Sequence, residues 1–222
     1  MLGWNPGEVI VTTEEAPYTV VEKQDAFEIR DYAPHVVAET VVEGEVEEAG
    51  NKAFNKLFRY ISGANRTREK LAMTAPVSLE PRGEKIAMTA PVSQEPAGQK
   101  IAMTAPVGQR RVGERWAVSF MMPASYGLET LPVPLDPQVT LRQVPARRMA
   151  ALRYSGAWNK KGYLRHKEEL ESWIQERELA VLGEPAWARY DAPFIPWFMR
   201  RNEILIPVDA GADPGHMASP RS

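Results

Sequence analysis

Three methionines recur at a fixed spacing in the middle of the sequence. Met73, Met88 and Met103 each lie in a copy of the phrase AMTAPV, and successive copies are fifteen residues apart. A methionine thioether can ligate haem iron, and it can also line an adaptable apolar pocket. The same spacing fits the inward-facing residues of ordinary strands, so ligation, pocket lining and plain packing all stay open.

Carboxylates are plentiful in the sequence, but no pattern marks a catalytic pair, and other candidate metal ligands are few. The chain has no cysteine, which excludes disulfides, thiolate metal sites and covalent haem attachment through CxxCH. Outside the C-terminal tail the histidines are His35 and His166, and we expect His166, in the polar run RHKEE, to be exposed. The sequence has no GxSxG, HExxH, Walker or GxGxxG motif, so a binding protein is favoured over an enzyme.

The composition indicates a globular protein with a sizeable core. The chain has 222 residues, of which 44% are hydrophobic, and a formal net charge of −2. The charge does not favour nucleic acid as a partner, and no apolar run reaches the roughly 18 residues of a membrane span. We expect a soluble protein, cytoplasmic unless a signal or anchor has been removed. The composition does not indicate an oligomeric state.

The first half of the chain predicts strands followed by a helix. Alternation and β-branched residues predict strands at 18–24, 27–32 and 35–42. Apolar residues then recur at helical spacing over 46–62, and Gly63 is typical of a helix C-terminus. The segment 115–123 predicts one more strand.

The second half repeats this order. We predict strands at 138–144 and 147–156, a helix opened by Asn159 and closed by Gly183, and strands at 186–193 and 202–208. The phrase FEIRDYAPHVVAE matches VTLRQVPARRMAA, so that Ile29-Arg30 corresponds to Leu141-Arg142. We therefore predict an α+β fold with two long helices, in which two similar halves form a pseudo-twofold, distorted antiparallel β-barrel or curved sheet.

The three copies of the repeated phrase occupy residues 70–107. Each copy alternates like a strand, and the connectors SLEPRGE and SQEPAGQ contain the Pro and Gly of turns. Two extra antiparallel strands return the chain to its original direction, so we predict a β-hairpin insertion, with a mobile flap as the alternative. We expect 1–15 to be an N-terminal extension, 16–208 to be the domain and 209–222 to be a disordered tail.

The order of these phrases resembles the SOUL haem-binding protein family. The resemblance rests on YTVVEKQDAFEIRDYAPHVVAET, on FRYISGAN, on KIAMTAPV followed by WAVSFMMP, on LRYSG, and on ARYDAPF and RRNEILIPV near the end. These phrases span roughly residues 16 to 208 in the family's order. The resemblance implies the fold predicted above, related to bacterial effector-binding domains, and non-covalent binding of haem or a related tetrapyrrole as carrier, buffer or sensor.

The resemblance also implies a position for the ligand, in an apolar cleft beside the first helix. On this chain the apolar wall would consist of Phe54, Leu57, Phe58 and Ile61. Arg59 would pair with a propionate, and Arg200 and Arg201 are further candidates. The helical stripe equally fits plain core packing against the sheet, and Arg200 with Glu203 equally fits a structural ion pair.

Iron ligation is the least determined part of the resemblance. Some relatives have a histidine where this chain has Asp31, and His35, four residues further on the same strand face, is the candidate axial ligand. Binding of the porphyrin without a protein axial ligand fits the sequence equally. Two other functions stay open, namely binding of another flat or amphipathic small molecule and an enzyme that acts on a tetrapyrrole.

Overall fold

The computed structural model of the protein describes residues 13–68 and 98–209. This part of the chain contains two α-helices, α1 (Val46–Ile61) and α2 (Lys160–Glu176), and a 3₁₀ turn, Trp197–Met199. Its strands, in chain order, are β1 (Tyr18–Gln24), β2 (Phe27–Tyr32), β3 (His35–Val42), β4 (Asn65–Arg66), β5 (Val107–Val112), β6 (Arg115–Met121), β7 (Val133–Pro134), β8 (Thr140–Val144), β9 (Arg147–Ser155), β10 (Ala186–Arg189) and β11 (Arg201–Pro207).

Nine strands form one curled antiparallel sheet in the order β1-β2-β9-β11-β10-β5-β6-β3-β8, and β4 pairs separately with β7. The two halves of the chain meet where β5 pairs with β10. Each half also contributes one strand to the other, because β2 pairs with β9 and β8 pairs with β3. The predicted α+β fold with a pseudo-twofold curved sheet is therefore confirmed.

Alternation along the strands divides the sheet into a face under the helices and a concave face. On the helix side, Val36 and Ala38 of β3 lie under α1, whose buried residues include Ala49, Ala53 and Leu57. The small alanines let the helix approach the sheet closely. Helix α2 covers the other half with its own buried residues, Tyr163, Leu170, Trp173 and Ile174.

The concave face buries a group of charges around Glu203 of β11. The Glu203 carboxylate is fully buried and accepts hydrogen bonds from Arg30 Nη1 at 2.7 Å and from Arg201 Nε at 3.0 Å. The Tyr190 hydroxyl donates to it at 2.8 Å. Arg201 Nη1 also donates to Glu15 at 2.9 Å. One carboxylate therefore ties β2, β11, the end of β10 and the N-terminal segment together.

The end of α1 and the start of α2 have the capping residues that the sequence predicts. Gly63, with φ of 116°, lies just after α1 as predicted, and Asn159 accepts from the Gly162 backbone N–H at 2.7 Å at the start of α2. The prediction that α2 continues to Gly183 is wrong. The helix ends at Glu176, and Glu178 adopts the left-handed conformation, with φ of 55°, that a glycine usually takes after a helix.

The third copy of the repeated phrase differs from the prediction. Residues 101–104 are irregular, Ala105 makes a single bridge to Glu15, and β5 begins only at Val107. Pro106 has no N–H to give to a ladder, which explains why the strand starts after it. The first two copies, and most of the predicted extension 1–15 and tail 209–222, lie outside the described residues.

We expect Glu203→Gln to lower the free energy of unfolding by about 3 kcal/mol, because it removes the charge shared by two guanidinium groups that are largely withdrawn from water. Urea unfolding measures the loss. Glu22→Gln is the control, since Glu22 is exposed and pairs with Arg177 at 2.8 Å, and such a pair contributes about 0–1 kcal/mol. Equal losses in the two variants would contradict the prediction.

The same variant changes the pH dependence of stability. Burial alone raises the pKa of Glu203, but the hydrogen bond and charge of Arg30 and the charge of Arg201 outweigh it and lower the pKa below its ordinary value. The stabilisation is therefore present above the unfolded pKa of about 4.3 and is lost as the pH falls below it. Wild-type protein should lose more stability between pH 6 and pH 3 than Glu203→Gln does.

Candidate functional site

The described residues form a cleft beside the first half of α1, on the helix side of the sheet. Gly50 and Phe54 of α1 form one wall, and residues 103–105 and Trp158 form others. The end of β10 and the chain that follows it, residues 189–194, complete the rim. The cavity volume is about 420 Å³, within the range of about 300–1,000 Å³ that is usual for small-molecule sites.

Aromatic rings and a thioether make this cleft largely apolar. Phe54 packs edge-on against Phe120, with ring centroids 5.3 Å apart, and stacks on Phe58 at 5.8 Å. Phe58 is 46% exposed, although it directly follows buried Leu57 in α1. Met103, from the third copy of the repeated phrase, also lines the cleft and is partly exposed. The cleft therefore offers flat apolar surface that the protein leaves uncovered.

The loop between β10 and β11 extends this apolar surface outward. Phe194 is 83% exposed, and Trp197, Phe198 and Met199 follow it with most of their surface in solvent. Arg200 fixes the loop, because its Nε donates to the Ile195 carbonyl at 2.8 Å and its Nη2 donates to the Pro193 carbonyl at 2.6 Å. These two hydrogen bonds hold the loop that carries Phe194 at the rim of the cleft.

Arg189 is the buried charge of the cleft. It is 8% exposed, its Nη2 donates to Gln109 Oε1 at 3.3 Å, and its Nε has no hydrogen-bond partner. The guanidinium carbon lies 5.3 Å from the ring centres of both Trp158 and Trp187. No carboxylate of the described residues forms a salt bridge with it. Burial lowers the pKa of Arg189 to about 10, so the group is still a cation at neutral pH.

Gly50 makes room for this guanidinium group against α1. A Cβ atom at Gly50 would lie 2.8 Å from Arg189 Nη2 and 3.1 Å from Gln109 Oε1. Gln109 in turn donates to the Val46 carbonyl at 2.7 Å, in the first turn of α1. The positive charge of Arg189 therefore lies at the back of an apolar cleft. It is surrounded by Gly50, the Gln109 amide and the rings of Trp158 and Trp187.

The cleft also contains polar groups that are already engaged. The Asp191 carboxylate accepts a hydrogen bond from the Arg201 backbone N–H at 2.5 Å, and the Tyr190 hydroxyl donates its hydrogen bond to Glu203. Burial, followed by the nearby charge of Glu203, raises the pKa of Tyr190 well above its ordinary value. Tyr190 is therefore not available as a phenolate.

The structure brings some of the residues expected from the sequence to the cleft and leaves others elsewhere. Phe54 lines it and Phe58 adjoins it, whereas Leu57 and Ile61 are buried in the core under α1. Arg59 lies on a different side of the helix, beside Tyr60 and Leu135.

The remaining candidates occupy other surroundings. Arg200 is bound to the carbonyl groups of its loop and lies 4.5 Å above Trp158. Arg201 belongs to the concave charge group around Glu203. His35 lies on the concave face, with Nδ1 3.0 Å from the Ala33 carbonyl oxygen. It is therefore on the side of the sheet opposite the cleft. His166, expected to be exposed, is partly buried and stacks on Tyr154 at 3.8 Å.

Arg189 and Trp158 were not found from the sequence, although one signal points to Arg189. In AWARYDAP, alternation puts Arg189 on the same strand face as Trp187, which is the face that turns inward. A lone arginine at an inward position of a strand requires either a buried partner or a ligand. Trp158 precedes α2 in a loop, and no periodicity marks it.

Comparisons with known proteins identify the family of the chain and support the fold. The model of the family described as SOUL heme-binding protein matches residues 13–85 and 78–207. No curated protein matches the sequence. Among solved structures, the chain is similar to the EcmrR C-terminal domain, with a TM-score of 0.55 and 11% identity over 86% of this chain and 98% of that one.

Two further structures share the fold. A hydrolase from Listeria innocua gives a TM-score of 0.53 at 10% identity, covering 85% of this chain and 94% of that one. EcmrR in a complex with DNA gives 0.54 at 10% identity, covering 82% of this chain and 57% of that one. These likenesses show the fold alone, and they lend no support to the expectation that nucleic acid is not a partner. Neither helix in the described part of the chain has the length and hydropathy that a membrane crossing needs.

Proposed function

The chain belongs to the SOUL heme-binding protein family, and from this we propose that it binds haem or a related tetrapyrrole without a covalent bond in the cleft beside α1. The observation that carries the proposal is Arg189, a buried guanidinium group without a carboxylate partner at the back of an apolar cleft. A porphyrin with propionate groups supplies what the cleft lacks, which is a flat apolar body and a negative charge.

The apolar walls suit the face of a macrocycle. Phe54, Met103 and Trp158 line the cavity, and Phe58 and Phe194 continue the surface toward solvent. Burial of apolar surface contributes roughly 25 cal/mol per Å², so a planar ring that covers these side chains gains several kcal/mol. The exposed rim residues then shield the outer part of the ring.

Arg189 suits one propionate. A guanidinium group binds a carboxylate through paired hydrogen bonds, and the bond is stronger where water is excluded. Arg189 has a free Nε, and its Nη2 has only the weak neutral bond to Gln109. Arg200 is bound to the loop between β10 and β11, and Arg201 neutralises Glu203. Neither is therefore needed as the propionate partner in this proposal. Arg59 stays the alternative partner.

Iron ligation by the protein is not required for this mode of binding. Among the described residues that line the cleft, the Met103 thioether is the one soft donor, and the lining includes no histidine. When bound, haem would supply iron redox and ligand-exchange chemistry, while the chain holds the ring, neutralises a propionate and excludes water from one face. This arrangement suits a carrier, buffer or sensor.

The main alternative is another flat anionic molecule. The cleft recognises a planar apolar body with one carboxylate, and a ligand other than a tetrapyrrole can meet this description. An enzyme that acts on a tetrapyrrole is a further alternative, which turnover of a bound porphyrin to an altered pigment would reveal. A titration with haemin separates these possibilities, because a saturating one-to-one change in the Soret band requires the porphyrin itself.

We expect Arg189→Met to raise the free energy of unfolding of the ligand-free protein by about 1–2 kcal/mol. The substitution removes an unpaired buried charge and keeps the apolar bulk. Urea unfolding measures the gain. Gln109→Leu is a useful second variant, because it removes the one hydrogen-bonding side chain of Arg189 and should lower stability. A loss of stability in Arg189→Met would contradict the view that this cation is retained for a ligand.

The same Arg189→Met substitution should weaken haemin binding roughly tenfold or more, because a charge-assisted hydrogen bond to a propionate is lost. The matched control is Arg59→Met, which should bind haemin within twofold of wild type. Titration of the Soret band gives both affinities. If Arg59→Met is the weaker variant, the propionate partner is Arg59. If neither variant differs from wild type, haem does not bind in this cleft through a propionate.

Metal-free protoporphyrin IX should bind with an affinity within about tenfold of haemin, because the binding energy comes from the ring face and the propionates. Fluorescence titration measures its affinity. Met103→Leu should change neither affinity by more than twofold, since leucine replaces the thioether with similar apolar volume. A strong preference for haemin that disappears in Met103→Leu would instead assign Met103 as an axial ligand.

A further inference from the structure

The concave face of the sheet contains a second cavity, separate from the cleft beside α1. Small residues at the junction of the two halves, among them Gly108 and Ala188, leave the floor of this face unfilled. Met121, Met149 and Leu205 form apolar walls around a pit of about 90 Å³. The pit opens toward a wider basin of about 550 Å³ near the chain after α2.

Three arginines lie where the pit meets the basin. Arg110, Arg142 and Arg147 line both cavities. Arg110 Nη2 lies 3.1 Å and Arg142 Nη2 lies 3.0 Å from the same Glu39 oxygen. Glu39 is therefore shared by Arg110 of β5 and Arg142 of β8, and Arg147 of β9 adds a third guanidinium group. Three positive charges against one negative charge leave an excess of two at the mouth of the pit.

The hydrogen bonds of this cluster are incomplete. Arg142 Nε is buried and has no partner. The Arg147 side chain makes no hydrogen bond or salt bridge within residues 13–68 and 98–209. In the sheet register Arg147 lies opposite Tyr32, near the β2–β3 turn. Arg147 is exposed at the mouth of the pit, and partial desolvation of its charge, followed by the charges of Arg142 and Arg110, lowers its pKa.

Other charges around the cluster do not cancel this excess at the pit. Arg148 is bound to Asp31 at 2.7 Å and 2.8 Å on the other side of the strand. Glu184 lines the outer basin but not the pit. His35 lines the pit, and burial lowers its pKa, so at neutral pH it adds no charge. Like charges held together at a cavity without a matching anion are typical of an anion-binding site.

We propose that the concave face is a second ligand site, which binds a small molecule that carries a phosphoryl group. The phosphoryl oxygens accept hydrogen bonds from Arg110, Arg142 and Arg147 at the mouth, and a small apolar group can enter the pit between the methionines. The pit has room for only a few atoms, so a haem macrocycle does not fit in it. The two ligands therefore occupy opposite faces of one sheet.

Calorimetric titration tests this proposal with two probes, inorganic phosphate and phenyl phosphate, at constant ionic strength and pH 7.5. We expect both to bind the wild-type protein more tightly than chloride, with phenol at the same concentration giving no signal. Tighter binding of phenyl phosphate indicates an organic phosphate as the ligand, and equal binding indicates free phosphate. Absence of binding by both probes at millimolar concentration would overturn the proposal.

Two single substitutions test whether phosphate binds at the three arginines of the concave face. Arg147→Gln should weaken phosphate binding roughly tenfold. The matched control is Arg153→Gln, an exposed arginine on the same strand, which should stay within twofold of wild type. Equal losses in the two variants would mean general electrostatic attraction and would overturn the proposal. Haemin binding should be unchanged in Arg147→Gln, and its loss would show that the concave face is not a separate site.

Nuclear magnetic resonance of the wild-type protein gives a test that needs no variant. Addition of phenyl phosphate should shift the backbone amide signals of residues 108–110 and 142–149, which surround the three arginines. Signals from residues 50–54, on the far side of the sheet in the first cleft, should stay in place. Shifts confined to residues 50–54 would contradict a phosphate site on the concave face.

Discussion

The buried bond between Glu203 and Arg30 is the constraint on which the rest of the molecule depends. Arg30 and Glu203 are almost completely inaccessible to water, and two charges in that position are stable only when they face each other. The bond crosses from β2 to β11, over the intervening strand β9, and so fixes the curvature of one half of the sheet.

Two arginines at matching positions in the two halves have different surroundings. Arg30 and Arg142 occupy corresponding positions in the repeated sequence phrases, and each binds a carboxylate on the concave face. The partner of Arg30, Glu203, is fully buried, and it also accepts hydrogen bonds from Arg201 and Tyr190. In the other half, Glu39 is shared by two arginines beside a third, and donors remain without acceptors. The two matched arginines therefore differ in their surroundings, because one lies in a closed group of charges and the other in a group with unsatisfied donors.

Sequence patterns were sufficient for the fold wherever periodicity and turn residues agreed. The bounds of β1, β2 and β3 follow directly from alternation, and Gly63 marks the end of α1. Strand β5 escaped prediction because VGQRRV places Gln109, rather than an apolar residue, on its buried face. Phe54 and Phe58 could be found from the helical stripe. Alternation with Trp187 could place Arg189 on an inward face, but it could not show that the guanidinium group packs against Gly50, which is distant in sequence and adjacent only in the folded chain.

The exchange of β2 and β8 between the halves has a consequence for how the molecule holds together. Neither half contains all the strands that its own sheet requires, because each completes its neighbour. If the backbone were cut in the connection between β7 and β8, the fragments would have to stay associated to keep their hydrogen bonds. A polypeptide made of one half alone could satisfy the same edges only by pairing with a second copy of itself. The exchange of strands therefore makes each half depend on the other for its hydrogen bonds.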